Sequence, residues 1–330
     1  MQPRFLYLMA AVLLVLMRGA SAQTPWNLAS SFPDNSFQTE NLRFFAAEVD
    51  KATQGKVKLA VHSHGALFNG YIDITRAVAD GSKAQLGEFQ LYDGEKDIPV
   101  LGVDSVPFLA LGYQDAQRLW QKTRPLIAKK LEERGLKPLY AVPWPPQGLF
   151  VNRPLRTMGE LKGLRLRTQN KGTKRIAELV DAKAIDVPAP ELKQALQEKK
   201  LDAFITASLY GSENGAWEYM SYFYDLQAWM PKNAVVINLK LFNSLDASTQ
   251  AALLKVAAQA EQRGWKVSEE HARRAKKELA DKGMKVLPPG EYMDSDMRLL
   301  GERLSREWVK GAGWEVMESM LEYFNSRQAR

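Results

Sequence analysis

Short apolar and alternating runs recur along the chain after residue 25, and most are followed by a longer stretch with the period of an amphipathic helix. The strand-like runs lie at 26–30, 57–61, 84–91, 136–142, 149–152, 164–168, 185–187, 202–206 and 234–239. The helix-like stretches lie at 42–52, 72–79, 115–134, 173–182, 190–199, 246–282, 291–309 and 313–327. Strands that alternate with helices predict an α/β architecture.

Two features predict that the chain forms two lobes from discontinuous segments. The segment PWPPQG, residues 143–148, places three prolines around a tryptophan, which prevents regular structure and predicts a stiff crossing between lobes. The stretch at 246–282 is long for a globular helix and indicates an element that bridges both lobes. The predicted boundaries are 23–144 plus 232–271 for lobe I, and 145–231 plus 272–330, with the C-terminal helices, for lobe II.

The first residues carry the signature of a secretory signal peptide. Arg4 precedes an unbroken apolar run, Phe5–Met17, and Ala20-Ser21-Ala22 is a small-x-small cleavage site. The apolar run is too short for a comfortable membrane span. We therefore expect residues 1–22 to be removed after Ala22 and the mature protein to reside in the periplasm.

Composition fits an exported protein that depends on its hydrophobic core. The chain contains no cysteine, which excludes disulfides, thiol nucleophiles and cysteine-based metal sites. The net charge is +7, and Arg4 and Arg18 in the predicted leader account for 2 of these charges. Basic and acidic residues are mixed along the rest of the chain, which argues against nucleic-acid binding.

Sequence signatures of catalysis are missing. The chain has no G-x-S-x-G elbow, Walker A loop, G-x-G-x-x-G loop or H-E-x-x-H motif, so we expect neither an enzyme nor a cofactor. His62 and His64 share one strand face but lack an evident carboxylate as third ligand, and no metal site is predicted.

The run LKGLRLRTQN, residues 161–170, contains the most informative charges. Alternation places Arg165 and Arg167 on one strand face, and the pattern then stops in small polar residues. Ligands of open α/β sheets gather beyond the carboxyl ends of strands, where Arg167 lies. Its guanidinium can bind a carboxylate with two parallel hydrogen bonds, while Trp144 and Tyr210 could add apolar contact. The pattern alone is equally compatible with a solvated strand surface.

Four segments in order resemble the solute-binding proteins of TRAP transporters, the DctP family. In chain order they are GALFNGYIDITRAVADG at 65–81, VPFL at 106–109, LKGLRLRTQN at 161–170 and PELKQALQEKKLDAF at 190–204. The resemblance implies an α/β, two-lobed periplasmic binding protein fold of type II-like form, with discontinuous domains and a long bridging helix. It also implies a monomer that captures a small organic acid and delivers it to TRAP membrane subunits.

The resemblance further implies roles for individual residues. Arg167 matches the family arginine that holds the ligand carboxylate, and Arg165 matches a neighbouring basic position that faces solvent. Gln147 stands where many members have a second arginine, and Thr206 where many have an asparagine. These neutral replacements favour a monocarboxylate over a dicarboxylate or sialic acid.

We expect a ligand to close the two lobes by touching both of them. Phe32, Asn35 and Glu88 are the expected contacts from lobe I, opposite Arg167 on lobe II. Trp144, Phe150 and Tyr210 favour a ligand with a partly apolar body. Two other functions remain open at this stage: a binding protein of an ABC importer or sensor system, and a periplasmic enzyme.

Overall fold

The computed structural model describes residues 25–328, and within them the strands form two sheets. The first sheet has the order β2 (Leu59–His62), β1 (Trp26–Ser30), β3 (Leu86–Gln90), β10 (Lys232–Asn238), β4 (Leu136–Pro143). The second has the order β11 (Lys285–Leu287), β9 (Tyr222–Tyr224), β5 (Gln147–Val151), β8 (Ala203–Ala207), β6 (Arg165–Thr168), β7 (Lys183–Asp186). The predicted leader, residues 1–22, lies outside the described residues.

Helices cover both faces of each sheet. They are α1 (Phe37–Ala52), α2 (Gly70–Asp80), α3 (Gly112–Glu132), α4 (Lys171–Leu179), α5 (Leu192–Gln197), α6 (Ser208–Glu213), α7 (Leu239–Ser244), α8 (Ala247–Asp281), α9 (Glu291–Ala312) and α10 (Trp314–Gln328). Short 3₁₀ segments occur at Leu91–Gly94, Pro99–Ser105, Met158–Leu161, Ala189–Glu191 and Ala216–Glu218. Among the described residues, no helix is both long enough and apolar enough to cross a bilayer.

The long helix α8 joins the two halves of the molecule, as its length predicts. Asp246 caps its first turn by accepting a hydrogen bond from the Thr249 amide at 2.9 Å. Leu253 lies in the core behind the first sheet, and Leu279 lies in a core of the second. Gly264 permits the close approach to β4, because a Cβ at this position would lie 2.3 Å from a methyl group of Val142. The two-lobed fold with a bridging helix is thereby confirmed.

We call the first sheet with its packed helices lobe I, and the second sheet with its packed helices lobe II. The last helix, α10, places Val316, Met320 and Tyr323 in the core of lobe I. The boundaries predicted from the sequence put this helix in lobe II. Helix α9 touches both lobes, since Met297 packs in lobe II and the Trp308 indole donates to Glu95 of lobe I at 3.3 Å.

The polar residues that follow the strand β6 have a structural role. The Asn170 side chain accepts a hydrogen bond from the Thr173 amide at 2.9 Å, and the Thr173 hydroxyl accepts one from the Asn170 amide at 3.3 Å. This capping box begins α4 immediately after β6. The break in alternation therefore marks the start of a helix and fixes the end of the strand that carries Arg167.

Candidate functional site

Two segments of the chain cross between the first sheet and the second. Residues 144–146 lead from β4 to β5, and residues 225–231 lead from β9 to β10. The two crossings are hydrogen-bonded to each other, from the Trp144 amide to the Pro231 carbonyl at 2.8 Å and from the Gln147 amide to the Trp229 carbonyl at 3.0 Å. The carboxyl ends of β4 and β8 and the starts of β5 and β10 therefore meet at this hinge.

Arg167 is buried at the end of β6 with an incompletely bonded guanidinium. Its side chain is 1% exposed, and its Nε donates to the Val187 carbonyl at 2.9 Å. Its Nη1 and Nη2 atoms have no hydrogen-bond partner. Among the described residues, the other buried side-chain atoms without a hydrogen-bond partner are Gln38 Oε1 and the Tyr140 hydroxyl. Leaving a buried cation without an acceptor costs several kcal/mol in folded proteins. The two free donors form a ready site for a carboxylate.

The electrostatics keep Arg167 charged. Burial lowers the pKa of Arg167 to about 10, and the nearby side chains of Tyr210, Tyr92 and Asp186 oppose this lowering. The guanidinium is therefore protonated at neutral pH, and an incoming anion would meet a full positive charge in a region of low dielectric.

The two tyrosines near Arg167 come from opposite lobes. Tyr210 lies in the first turn of α6 in lobe II, and its hydroxyl donates to the Ala189 carbonyl at 2.6 Å. Tyr92 follows β3 in lobe I, and burial raises the pKa of its phenol to about 12, so it remains a neutral hydrogen-bond donor. The sequence analysis did not identify Tyr92. Its position just after the end of β3 could have indicated it, because ligands of open α/β sheets bind beyond the carboxyl ends of strands.

Strand register separates the two predicted neighbours of Arg167. Thr206 pairs with Gly148, and Gln147 pairs with Ala207, so these pairs point to opposite sheet faces. Leu166 pairs with Ala203, which places Thr206 on the face of Arg167 and Gln147 on the other. The Gln147 amide also folds back to donate to the Pro145 carbonyl at 3.3 Å. The structure thus groups Thr206 with Arg167 and leaves Gln147 apart.

Aromatic side chains form a wall on lobe I beside the hinge. The half-buried Trp144 ring lies 5.4 Å from the ring of Phe32 and 5.2 Å from that of Phe37. The Trp144 indole N–H donates to Asn233 Oδ1 at 2.9 Å. Asn35 is exposed in the loop before α1. The wall therefore consists of Trp144 and Phe32, supported by Phe37.

Phe150, another predicted contact, lies within the core. Its side chain is 0% exposed and stacks on Phe204 at 4.6 Å. The residue stabilises the second sheet and offers no surface to a ligand.

Glu88 is a buried carboxyl whose two oxygens are both occupied by protein donors. Its Oε2 accepts from the Ser30 hydroxyl at 2.6 Å, and its Oε1 accepts from Asn233 Nδ2 at 3.1 Å. Burial raises the pKa of Glu88 to about 7, against the lowering effect of these two hydrogen bonds. The carboxyl supports the lobe I wall from behind.

Glu88→Gln is expected to remove a pH dependence of folding stability. Because the folded-state pKa is raised from 4.5 to about 7, the stabilisation from this group is complete below the unfolded pKa and is lost as the pH rises through the folded pKa. At about 1.4 kcal/mol for each pKa unit, the loss is about 3 kcal/mol. Urea unfolding should show the variant gaining stability relative to wild type between about pH 5 and about pH 8. A constant difference across this range would contradict the assignment.

The second arginine of the run, Arg165, has a structural role. Its Nε and Nη2 donate to the two carboxylate oxygens of Asp202 at 3.0 and 2.7 Å, and its Nη1 donates to the Lys199 carbonyl at 2.8 Å. The side chain is 42% exposed. One arginine of the strand is thus paired at the surface, while the other is buried with free donors.

A buried ion pair lies where β10 begins. Lys232 Nζ is 3.5 Å from Asp104 Oδ2, and the side chains are 1% and 3% exposed. Asp104 also accepts from the Lys232 amide at 2.9 Å. Burial lowers the pKa of Lys232 and raises that of Asp104, while the attraction between the two charges opposes both changes. The pair fixes the start of β10 at the hinge.

The predicted strand histidines have other surroundings. His62 Nε2 lies 2.9 Å from Asn27 Oδ1, and His64 occupies a turn with a positive φ of 60°. Within the described range 25–328, no three acidic, histidine or cysteine side chains converge as metal ligands would.

Comparison with known proteins identifies close relatives of this architecture. The sequence model of DctP, described as bacterial extracellular solute-binding protein, family 7, matches residues 28–310. The crystal structure of DctP6 from Bordetella pertussis, an extracytoplasmic solute receptor binding pyroglutamic acid, is 38% identical, with a TM-score of 0.81 over 92% of this chain and 100% of that one. DctP7 from the same organism, also a receptor binding pyroglutamic acid, is 33% identical, with a TM-score of 0.80 over 92% and 99%.

A third solved structure agrees with these two. It is a TRAP solute-binding protein from a marine metagenome, specific for pyroglutamate, and is 29% identical to this chain. Its TM-score is 0.79 over 92% of this chain and 99% of that one.

Proposed function

Since this chain belongs to family 7 of the bacterial extracellular solute-binding proteins, we propose that it binds pyroglutamate, or a monocarboxylate of similar size, between its two lobes. The protein is a TRAP-type solute receptor for a small organic acid, and delivery of that acid to a TRAP transporter is the function of its family. The proposal concerns which acid is bound and which residues bind it.

The observation that carries the proposal is the pair of free donors on Arg167. Nη1 and Nη2 lie side by side on a planar guanidinium, and both are buried without a partner. A carboxylate has two oxygens at the matching spacing, so it can accept two parallel charge-assisted hydrogen bonds. A bound carboxylate would neutralise the buried cation. It would thereby remove the free energy cost of a buried guanidinium that has no hydrogen-bond acceptor.

The remaining lining favours one carboxylate on a compact body. Thr206 adds a buried, neutral hydroxyl on the Arg167 face. Among the buried side chains of residues 25–328, Arg167 is the one arginine with unbonded donors, so a second carboxylate would lack an equivalent partner. Pyroglutamate carries a single carboxylate on a five-membered lactam ring, which suits the flat aromatic wall of Trp144 and Phe32. Two receptors that are 38% and 33% identical bind this acid.

The ligand is proposed to act as the link between the lobes. Arg167 belongs to lobe II, and Tyr92, one of the side chains near its guanidinium, belongs to lobe I. An acid that contacts both groups binds the closed arrangement better than an open one, and therefore shifts the population towards closure. The closed shape would be the form that TRAP membrane subunits recognise.

The proposal also covers the oligomeric state of the protein, its location and the fate of its ligand. We expect the protein to act as a monomer in the periplasm, after removal of residues 1–22. We also expect it to release its ligand chemically unchanged, because it is proposed to be a receptor and to have no catalytic role.

Isothermal titration calorimetry against a panel of acids tests the proposal. Pyroglutamate should bind with micromolar or tighter affinity, which corresponds to about 8 kcal/mol. Succinate, which adds a second carboxylate, and glucuronate, which has a larger body, should bind about 100-fold more weakly. Tighter binding of either acid than of pyroglutamate would overturn the assignment of the ligand class.

A further inference from the structure

Two aromatic rings of the lobe I wall are connected to one buried carboxyl through a single intermediate residue each. Trp144 reaches Glu88 through Asn233, and the turn that carries Phe32 reaches Glu88 through Ser30. Glu88 itself is 1% exposed. The link is therefore an internal support behind the surface that the ligand is proposed to meet.

The branch to Trp144 uses both ends of one amide. Asn233 Nδ2 donates to Glu88 Oε1 at 3.1 Å, while Asn233 Oδ1 accepts from the Trp144 indole N–H at 2.9 Å. Asn233 is 1% exposed, so no bulk water competes for these contacts. Because Glu88 presents an acceptor, the amide oxygen must face the indole, and the indole ring is held in one orientation.

The branch to Phe32 ends on the backbone. The Ser30 hydroxyl donates to Glu88 Oε2 at 2.6 Å and accepts from the Phe32 amide at 3.2 Å. These contacts fix the turn that follows β1, and the Phe32 ring lies 5.4 Å from the Trp144 ring. The two branches therefore set the relative placement of both rings.

We propose that Glu88 is a positioning residue for ligand binding, and that it acts through Asn233 by holding the Trp144 ring against the bound acid. The inference rests on the proposed function, since it concerns the same proposed ligand site between the lobes. A side chain that is ordered before binding loses less conformational entropy when the ligand arrives. Breaking the link should therefore weaken the binding of acids that pack on Trp144.

A double-mutant cycle between Glu88 and Trp144 tests the inference by calorimetry with pyroglutamate. Glu88→Leu removes both acceptors at similar volume and should weaken binding about tenfold. Trp144→Phe keeps an aromatic ring but has no indole N–H to hold. In the Trp144→Phe background, Glu88→Leu should weaken binding no more than about threefold, because the link is already cut.

The conservative variant and a matched control separate positioning from general destabilisation. Glu88→Gln can accept from Asn233 and donate to Ser30, so its affinity should stay within about threefold of wild type. Tyr140 lies on the same sheet face, since Val235 pairs with both Tyr140 and Glu88, and its buried hydroxyl has no partner in the described structure. Tyr140→Phe should leave binding unchanged in both backgrounds.

The outcomes distinguish this inference from the proposed function. Equal losses from Glu88→Leu in both backgrounds would overturn the positioning role while leaving pyroglutamate binding in place. A wild-type protein that binds no compact monocarboxylate would overturn the proposed function and this inference together. If Glu88→Leu does not fold, Asn233→Leu cuts the same branch and should show the same dependence on Trp144.

Discussion

Arg167→Ala is expected to weaken pyroglutamate binding by about 100-fold or more. The substitution removes two charge-assisted hydrogen bonds, each contributing about 1.5–3 kcal/mol net, and about 3 kcal/mol corresponds to roughly this factor. The loss should be large because the guanidinium is 1% exposed and bulk water cannot replace it. Calorimetry at neutral pH measures the effect directly, since Arg167 is charged there.

Arg167→Lys should distinguish geometry from charge. Lysine keeps the positive charge but lacks the planar pair of donors that a carboxylate engages. We expect it to recover only part of the affinity and to remain about tenfold or more below wild type.

Arg165→Ala is the matched control, two residues away on the same strand. Its guanidinium is committed to Asp202 and to the Lys199 carbonyl, so its removal should change affinity by less than about twofold. If Arg167→Ala retained full affinity, or if Arg165→Ala caused the larger loss, the assignment of the carboxylate site would be wrong.

Lys232→Met is expected to destabilise the fold by about 3–5 kcal/mol. The substitution leaves Asp104 buried without its cation, and breaking one side of a buried ion pair has a cost of this size. Asp104→Leu combined with Lys232→Met should recover most of the loss, because no charge then remains buried. Urea unfolding, read as a shift of the midpoint at constant slope, measures both variants.

An exposed ion pair provides the comparison for this effect. Lys277 and Asp281 lie one turn apart on α8, with side chains 70% and 60% exposed. Lys277→Met should change stability by no more than about 0.5 kcal/mol, as is typical of exposed helical pairs. A loss at Lys232 as small as the loss at Lys277 would contradict the structural role of the buried pair.

Hydrophobic periodicity predicted most of the architecture because local burial decides it. The strand at 26–30 and the helix that begins after Asp246 were placed within a residue or two. The long helix was also identified correctly as a bridge, since a helix of this length outruns a single sheet. Resemblance to the DctP family supplied the two-lobed arrangement and the TRAP assignment, which the comparisons confirm.

Short irregular elements escaped prediction because their order comes from tertiary contacts. The strands Tyr222–Tyr224 and Lys285–Leu287 have three residues each. The first pairs with β5 and with the second, which lies at the edge of the sheet. The 3₁₀ segment Leu91–Gly94, which carries Tyr92, has no period that a sequence pattern can reveal. Similarly, α10 joins lobe I through packing that sequence order does not indicate.

Sequence reasoning singled out some residues of the candidate site, and strand geometry explains why it could not place the others. Arg167 could be singled out because an arginine at a strand end is unusual in a run that alternates, and its burial agrees with that reasoning. Glu88 was expected to face the ligand, whereas its two oxygens are bonded to Ser30 and Asn233. Only the register of β5 and β8 reveals that Gln147 and Thr206 lie on opposite faces.

The crystal structure of the protein with bound pyroglutamate tests the central claim most directly. We expect the two carboxylate oxygens of the ligand to lie about 3 Å from Arg167 Nη1 and Nη2, with the lactam ring beside Trp144. A complex in which the carboxylate contacts other groups, while Arg167 Nη1 and Nη2 make no contact with the ligand, would contradict the account.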